Sequence, residues 1–202
     1  MSRIRPFLAV LMLLCALFGY AAKPLPVQRF EGGLGVGRLS FPLSSYSNTE
    51  RYMLLSLFPS GEIRFNIPRT AWDVGITFYS LSSSVYRLYG TYEYKGESYS
   101  YSYDVVNNCD LIGVCSHYNL RQGRKVNPFF GLAAGIGLSV KSELFNNNIS
   151  DIGSHFAIEP RVGVEFLYHI RLCADIQISR KGFNTVGLTL GFAIGGRPKK
   201  PK

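Results

Sequence analysis

Large apolar residues alternate strictly with small ones between Thr185 and Ile194, near the C-terminus. In an extended chain this puts large side chains on one face and small ones on the other. The large set is Val186, Leu188, Leu190, Phe192 and Ile194, and the small set is Gly187, Thr189, Gly191 and Ala193. Small residues suit a crowded, concave interior, and an outward apolar face suits lipid. The stretch therefore predicts one strand of a small transmembrane β-barrel.

Seven further segments have the same two-residue period. One is residues 128–140, where Phe130, Leu132, Ala134, Ile136 and Leu138 alternate with glycine, alanine and serine. The other six are residues 30–41, 62–68, a strand starting at 72, 111–121, 156–166 and 170–179. Most approach the roughly 9–11 residues that cross a bilayer at a tilt. The pattern predicts an all-β fold, an eight-stranded antiparallel up-and-down transmembrane β-barrel.

Charged residues occur on the small-residue faces of several predicted strands. They are Glu62, Arg64, Asp73, Glu159, Arg161, Glu165, Arg171 and Asp175. Their mixed signs predict an interior ion-pair network, in which Glu159, Arg161, Arg171 and Asp175 pair with one another. Two alternatives stay open: a solvated outer face, and a secreted soluble barrel of the lipocalin kind with its apolar face inward around a ligand.

Connection lengths alternate along the chain, as in outer-membrane barrels with short periplasmic turns and long outer loops. Long or polar connections, residues 42–61, 80–110 and 141–155, follow the first, third and fifth predicted strands. Short connections follow the second, fourth and sixth strands, and only the short loop after the seventh departs from the rule. An even strand number predicts that both termini lie in the periplasm.

The N-terminus has the pattern of a secretory signal peptide. Arg3 and Arg5 precede an apolar run from Phe7 to Phe18, and Ala21 is the favoured cleavage position. Cys15 invites a lipoprotein interpretation, but Met12 and Leu14 are poor residues for that signal. We expect a signal peptide at 1–21, a periplasmic segment at 22–29, the barrel at 30–196 and a basic tail at 197–202.

The net charge is +9 and falls to +7 when Arg3 and Arg5 leave with the signal peptide. Much of the remaining charge lies in residues 121–125 and in the tail. An exported chain meets little nucleic acid, so we predict no nucleic-acid partner; the clusters are either solvated segments or anchors at lipid head groups.

At this point the chain resembles the eight-stranded outer-membrane β-barrel proteins of the OmpA/OmpX type, including the porin-like small barrels, over residues 30 to 196. The stretch Thr185–Phe192 also resembles the assembly signal of such barrels, a polar residue followed by spaced hydrophobic residues and an aromatic, although here the chain continues to Lys202. The resemblance implies localisation in the outer membrane of a Gram-negative cell, contact with its lipid, and recognition of Thr185–Phe192 by the barrel assembly machinery.

Residues for chemistry are sparse, so we predict no enzyme, no cofactor and no catalytic, cofactor-binding or metal site. His117, His155 and His169 have no metal-ligand spacing. Ser154 and His155 would point to opposite faces of a strand, which disfavours a lipid-modifying hydrolase.

The mature chain retains Cys109, Cys115 and Cys173. A Cys109–Cys115 disulfide would need a folded-back loop, because the two lie about 20 Å apart in a single strand.

Tyrosines crowd the connection between the third and fourth predicted strands, and those from Tyr92 to Tyr103 alternate with polar residues around Lys95-Gly96-Glu97. This predicts a projecting two-stranded hairpin over Tyr86–Asp104, able to contact an extracellular protein or glycan. An interfacial aromatic girdle with an inert hairpin is the alternative. The predicted function is structural or surface interaction, such as adhesion. A narrow porin-like channel is the second hypothesis, and a lipid-modifying barrel enzyme the third.

Overall fold

The computed structural model describes residues 27–43, 49–79, 84–143, 149–179 and 183–195. These residues form one antiparallel sheet. Its strands are β1 (Phe30–Pro42), β2 (Thr49–Tyr52), β3 (Leu54–Asn66), β4 (Trp72–Tyr79), β5 (Ser84–Tyr94), β6 (Glu97–Asn119), β7 (Val126–Glu143), β8 (Ile149–Phe166), β9 (Ile170–Gln177) and β10 (Thr185–Ile194). Within these ranges we find no helix with the length and apolar character needed to span a membrane.

Eight of the strands close into a barrel. The sheet runs β6-β4-β3-β1-β10-β9-β8-β7, and β7 pairs back with β6 from Val105 to Asn119. Each strand of the ring pairs with two neighbours, and β2 and β5 lie outside the ring as an extension along the N-terminal half of β6. The predicted eight-stranded antiparallel up-and-down barrel is confirmed.

The outer wall is apolar and the lumen is polar. Along β10 buried and exposed residues alternate without interruption: Leu190 is 48 % exposed and Thr189 only 5 %. Outward positions of β4 and β7 are likewise large and apolar, including Trp72, Ile76 and Ile136. This is the arrangement of a membrane barrel, and it is opposite to the inward apolar face that the lipocalin alternative requires.

Strand β3 starts at Leu54, eight residues earlier than the sequence pattern indicated, within a predicted long connection. Pro59 and Gly61 look like loop residues in the sequence. The structure accommodates Pro59 at an irregularity, where the register between β1 and β3 shifts between Gly35 and Gly37. A bulge leaves a residue out of the hydrogen-bond ladder, and this is where a strand tolerates proline.

Three short connections lie together at one end of the barrel, which we name the turn end. They join β3 to β4, β6 to β7 and β8 to β9, and Arg69, Leu167 and Tyr168 have positive φ there. Strand β1 begins and β10 ends at the same end, since Gly32 pairs with Ile194. The opposite end, the loop end, carries β2, β5 and the far half of β6.

Candidate functional site

A closed ion pair lies in the lumen towards the loop end. Nη1 and Nη2 of Arg38 donate to the two carboxylate oxygens of Asp175, each at 2.5 Å, and neither side chain is exposed. Arg38 Nη1 also donates to Thr189 Oγ1 at 3.2 Å. The pair is bidentate, which is the strong geometry for a guanidinium and a carboxylate. It links β1 to β9 past the intervening strand β10, to which both are paired.

A second cluster surrounds Glu62 in the middle of the lumen. Arg161 donates to Glu62, and the guanidiniums of Arg171 and Arg64 each lie 3.6 Å from its carboxylate. Arg161 also donates to Glu159 at 3.1 Å, and Arg64 pairs with Glu31 at 3.0 Å. All the charged residues assigned to the interior from the sequence lie in the lumen.

Of the predicted mutual pairing of Glu159, Arg161, Arg171 and Asp175, the structure contains the pair of Arg161 with Glu159, whereas Arg171 and Asp175 have other partners. Asp175 faces Arg161 in the β8–β9 register but binds Arg38 of β1, which lies two strands away on its other side, beyond β10. Arg38 was missed because strict alternation along β1 puts it outside. The bulge near Val36 reverses the inward–outward alternation of β1, so that Arg38 faces the lumen. The signal available in the sequence was an arginine at a position that strict alternation would place against lipid.

His117, Cys115 and Glu62 bring possible metal-ligand atoms within 4.8 Å of one another. His117 Nδ1 lies 2.8 Å from Asp73 Oδ1, and Arg171 Nη2 lies 3.2 Å from His117 Nε2. Since guanidinium only donates, Nε2 accepts that bond and Nδ1 carries the proton given to Asp73. A metal ion at this position would therefore lie against the guanidinium of Arg171, and Arg161 and Arg64 also bind Glu62. Because these cations would repel a metal ion, the residues fit an ion-pair network better than a metal centre.

Near the loop end the lumen contains a thiol next to an imidazole. Cys109 Sγ lies 3.4 Å from His155 Nε2, and Gln177 Nε2 donates to the thiol at 3.0 Å. A nucleophile and a base are therefore adjacent, but Cys109 is fully buried, out of reach of a substrate. Ser154 is exposed on the outer face and does not join His155. Cys109, Cys115 and Cys173 are all free thiols.

Aromatic rings fill the rest of the lumen between the guanidiniums. Tyr79 lies under Arg161 at 4.4 Å and Arg38 at 5.4 Å, and Phe129 lies under Arg171 at 4.0 Å. The glycine-lined side of the wall leaves a cavity of about 20 Å³ next to Gly35 and Thr189. Such a space holds about one water molecule.

The predicted hairpin is present, and it is part of a three-stranded extension that we call the ribbon, formed by β2, β5 and residues 97–104 of β6. Lys95 and Gly96 have φ of 51° and 78°, which matches a two-residue turn with positive φ at both positions. Strand β2 adds to the outer edge of β5, with Glu50 opposite Arg87. The sequence did not reveal β2, because four residues are too few to show a period.

One face of the ribbon is lined by tyrosines. Tyr92 stacks on Tyr99 with ring centroids 5.5 Å apart, and Tyr101 stacks on Tyr103 at 6.1 Å. Tyr101 lies over Gly90, where a Cβ would collide with its ring. The period of β6 makes this tyrosine face continuous with the lumen-facing side of the strand. Tyr92, Tyr94, Tyr99 and Tyr101 remain 40–57 % exposed.

The opposite face of the ribbon is polar. Arg87 forms two hydrogen bonds to Asp104, at 2.8 and 3.1 Å, and its guanidinium lies 5.3 Å from the Tyr52 ring. The bond from Arg87 holds the pKa of Asp104 below its ordinary value. Tyr52 donates to Glu50 at 2.5 Å, which raises the pKa of Tyr52 and lowers that of Glu50. Across both faces the ribbon has three basic residues and four acidic ones, so it is nearly neutral.

No protein-family model matches the chain, and no curated protein does. Among solved structures the chain is similar to Ail, the attachment invasion locus protein of Yersinia pestis, in complex with the heparin analogue sucrose octasulfate. The sequence identity is 15 % and the TM-score is 0.44, and the match covers 84 % of this chain and 100 % of Ail. A second Ail structure has 15 % sequence identity and a TM-score of 0.43, and the match covers 83 % of this chain and 99 % of that structure. Neisserial surface protein A has 13 % sequence identity and a TM-score of 0.46, and the match covers 85 % of this chain and 98 % of that protein. The strand pairing of the chain itself, not this likeness, establishes the fold.

Proposed function

We propose that this chain is an integral outer-membrane barrel whose role is non-enzymatic surface interaction. The apolar outer wall supports the membrane location. Aromatic pairs at the turn end, Phe30 with Phe65 and Trp72 with Tyr118, suit an interfacial girdle. The turn end carries both termini of the barrel and lies in the periplasm in this proposal, and the ribbon projects outward. Thr185–Phe192 lies within β10, where the assembly machinery would read it.

The exposed tyrosine face of the ribbon is the observation that carries the proposed role. Tyrosine presents a rigid, amphipathic ring with a hydroxyl, so it gives contact area at a low loss of conformational entropy. Soluble surfaces rarely leave four neighbouring aromatic rings about half exposed without a partner. The rings of Tyr92, Tyr99 and Tyr101 are already ordered by mutual contact before any ligand arrives.

The nearly neutral charge of the ribbon limits the net charge of the ligand that it can bind. A polyanion such as the heparin analogue bound by Ail needs a basic surface, whereas the ribbon has Arg51, Arg87 and Lys95 against four carboxylates. Arg87 is also engaged by Asp104. The proposed ligand is an extracellular protein or glycan of low net charge.

The filled lumen argues against the porin-like alternative. Eight strands leave an interior that side chains can just occupy, and here Arg38, Tyr79, Arg161 and Phe129 occupy it. Single-channel recording in planar bilayers tests this directly. We expect no conductance step above that of the protein-free bilayer.

The surface role is tested by binding of cells that display the protein to host-cell monolayers and to arrays of neutral and sulfated glycans. Tyr92→Ser, Tyr99→Ser and Tyr101→Ser together should lower binding at least tenfold. The matched control is Ser98→Ala, Ser100→Ala and Ser102→Ala on the opposite face, which should bind as the parent does. Equal binding by both triple variants would remove the tyrosine face from the function, and selective binding of sulfated glycans would overturn the charge argument.

A further inference from the structure

An apolar groove of about 340 Å³ runs across the outer wall over β7, β8, β9 and β10. Its floor is formed by Pro128, Phe130, Val162, Val164, Leu172 and Ala174. The small side chain of Ala174 leaves the depression, because its outward-facing neighbours Val162 and Leu172 are larger. The groove begins next to the turn between β6 and β7, since its lining also includes Leu120 and Pro128.

Three cations lie in that turn at the head of the groove, Arg121, Arg124 and Lys125. Arg124 and Lys125 are exposed. Within the part of the chain that the structure describes, no carboxylate is within ion-pair distance of any of the three. The turn is fixed beside the groove, because Leu120 N donates to Pro128 O at 2.8 Å and Leu167 N donates to Lys125 O at 2.6 Å.

A second groove on the same wall provides a comparison. It lies over β4, β6 and β7, has a volume of about 540 Å³, and is lined by Val74, Ile76, Ser116 and Ala134 among others. Rings separate it from the turn: Trp72 contacts Tyr118 at 5.1 Å, and Tyr118 contacts Phe130 at 5.3 Å. The lining of the larger groove thus ends short of the turn, at Ser116 and Leu132, whereas the lining of the smaller groove reaches Leu120 and Pro128.

We propose that the groove over β7–β10 is a binding site for one anionic phospholipid from the leaflet at the turn end. An acyl chain lies in the groove, and the head-group phosphate lies between Arg124 and Lys125. Charge complementarity identifies the occupant: a zwitterionic lipid would offer the same chain and a phosphate, but its own head-group cation offsets that phosphate, so it brings no net negative charge to Arg124 and Lys125. A basic residue near a membrane surface contributes about fivefold in affinity for anionic lipid. The proposal rests on the membrane location proposed above.

The experiment is native mass spectrometry of the full mature chain after equilibration in mixed micelles of dioleoyl phosphatidylglycerol and dioleoyl phosphatidylcholine. The parent protein should retain one phosphatidylglycerol, in preference to phosphatidylcholine. Arg124→Gln with Lys125→Gln should lower that preference by about 25-fold, the product of two fivefold losses. Ala174→Phe, which fills the groove, should release the lipid although both cations remain.

Two matched controls locate the effect. Ala134→Phe fills the second groove, and Arg87→Gln with Lys95→Gln removes two cations from the ribbon; both should retain phosphatidylglycerol as the parent does. Equal retention by the parent and by the Arg124/Lys125 variant, or loss of lipid in the control variants alone, would overturn the site. Insertion into lipid vesicles, read from the fluorescence of Trp72, is measured on every variant. A parent that inserts without lipid preference refutes only this site, whereas a parent that fails to insert refutes the proposed membrane function.

Discussion

A single face of β6 behaves differently in the barrel and in the ribbon. Inside the barrel, its side chains are enclosed: His117 binds Asp73, and Cys109 contacts His155 and Gln177. Beyond Val105 the same face carries Tyr103, Tyr101 and Tyr99. Tyr101 stacks on Tyr103 and Tyr99 stacks on Tyr92, and the rings of Tyr99 and Tyr101 remain exposed. Closure of the sheet therefore decides whether a side chain serves stability or remains available to a partner.

The ion pairs of the barrel and the ribbon show the same contrast, although both consist of an arginine and an aspartate. Arg38–Asp175 has exposures of 0 % on both sides, whereas the exposures of Arg87 and Asp104 are 40 % and 14 %. Removing one partner of an enclosed pair leaves a charge without compensation in a poorly solvated space. Water replaces a lost partner on the ribbon. The predictions below use this difference, from the largest expected effect to the smallest.

Arg38→Met should destabilise the barrel by about 3–5 kcal/mol, because Asp175 is then buried and unpaired. Arg87→Met, the matched change on the ribbon, should leave the free energy of unfolding unchanged within error. Urea unfolding in lipid vesicles, followed by the fluorescence of the single tryptophan, Trp72, measures both. Arg38→Met combined with Asp175→Leu should recover most of the loss. Similar values for the two single variants would show that the lumen is better hydrated than its burial indicates.

Leu190→Arg should block assembly of the barrel, whereas Thr189→Ser should be tolerated. Leu190 faces the lipid, where arginine near the midplane costs about 2–4 kcal/mol, while Thr189 faces the lumen. The measurement is the yield of heat-modifiable protein in purified outer membranes. Equal yields would mean that the two faces of β10 have been exchanged.

The period of two made the strand count and most face assignments predictable from the sequence, because lipid and lumen impose opposite requirements on alternate residues. The pairing of Asp175 with Arg38 could not be predicted, because it depends on the stagger at which β1 pairs with β10 on closure. The contact of Cys109 with His155 depends in the same way on register, here across β7 between β6 and β8. In the ribbon, the tyrosine alternation revealed β5 and β6, but the edge strand β2 has no such signal.

Deleting residues 92–101 should spare the barrel, with a change in unfolding free energy within about 0.5 kcal/mol, because the deleted residues contact only the ribbon. Trypsin added to intact cells should cut the parent protein at Lys95, which is exposed in the turn. The deletion variant should resist this cleavage and keep the Trp72 fluorescence of the folded state. Cleavage that requires an opened periplasm would place the ribbon on the inner side of the membrane and reverse the proposed topology.

The smallest expected effect is the response of the ribbon to acid. Asp104 accepts two hydrogen bonds from Arg87, and this holds its pKa below the ordinary value near 3.9. A lowered carboxyl pKa stabilises the folded ribbon above the unfolded pKa, and that contribution is lost as the pH falls through the lower, folded value. The pair should therefore persist from pH 7 to about 4 and open only under stronger acid. A carbon-13 NMR titration of Asp104 measures this, with the assignment checked by Asp104→Asn. Its midpoint should be lower in the parent than in Arg87→Met, and equal midpoints would mean that Arg87 does not engage Asp104 in solution.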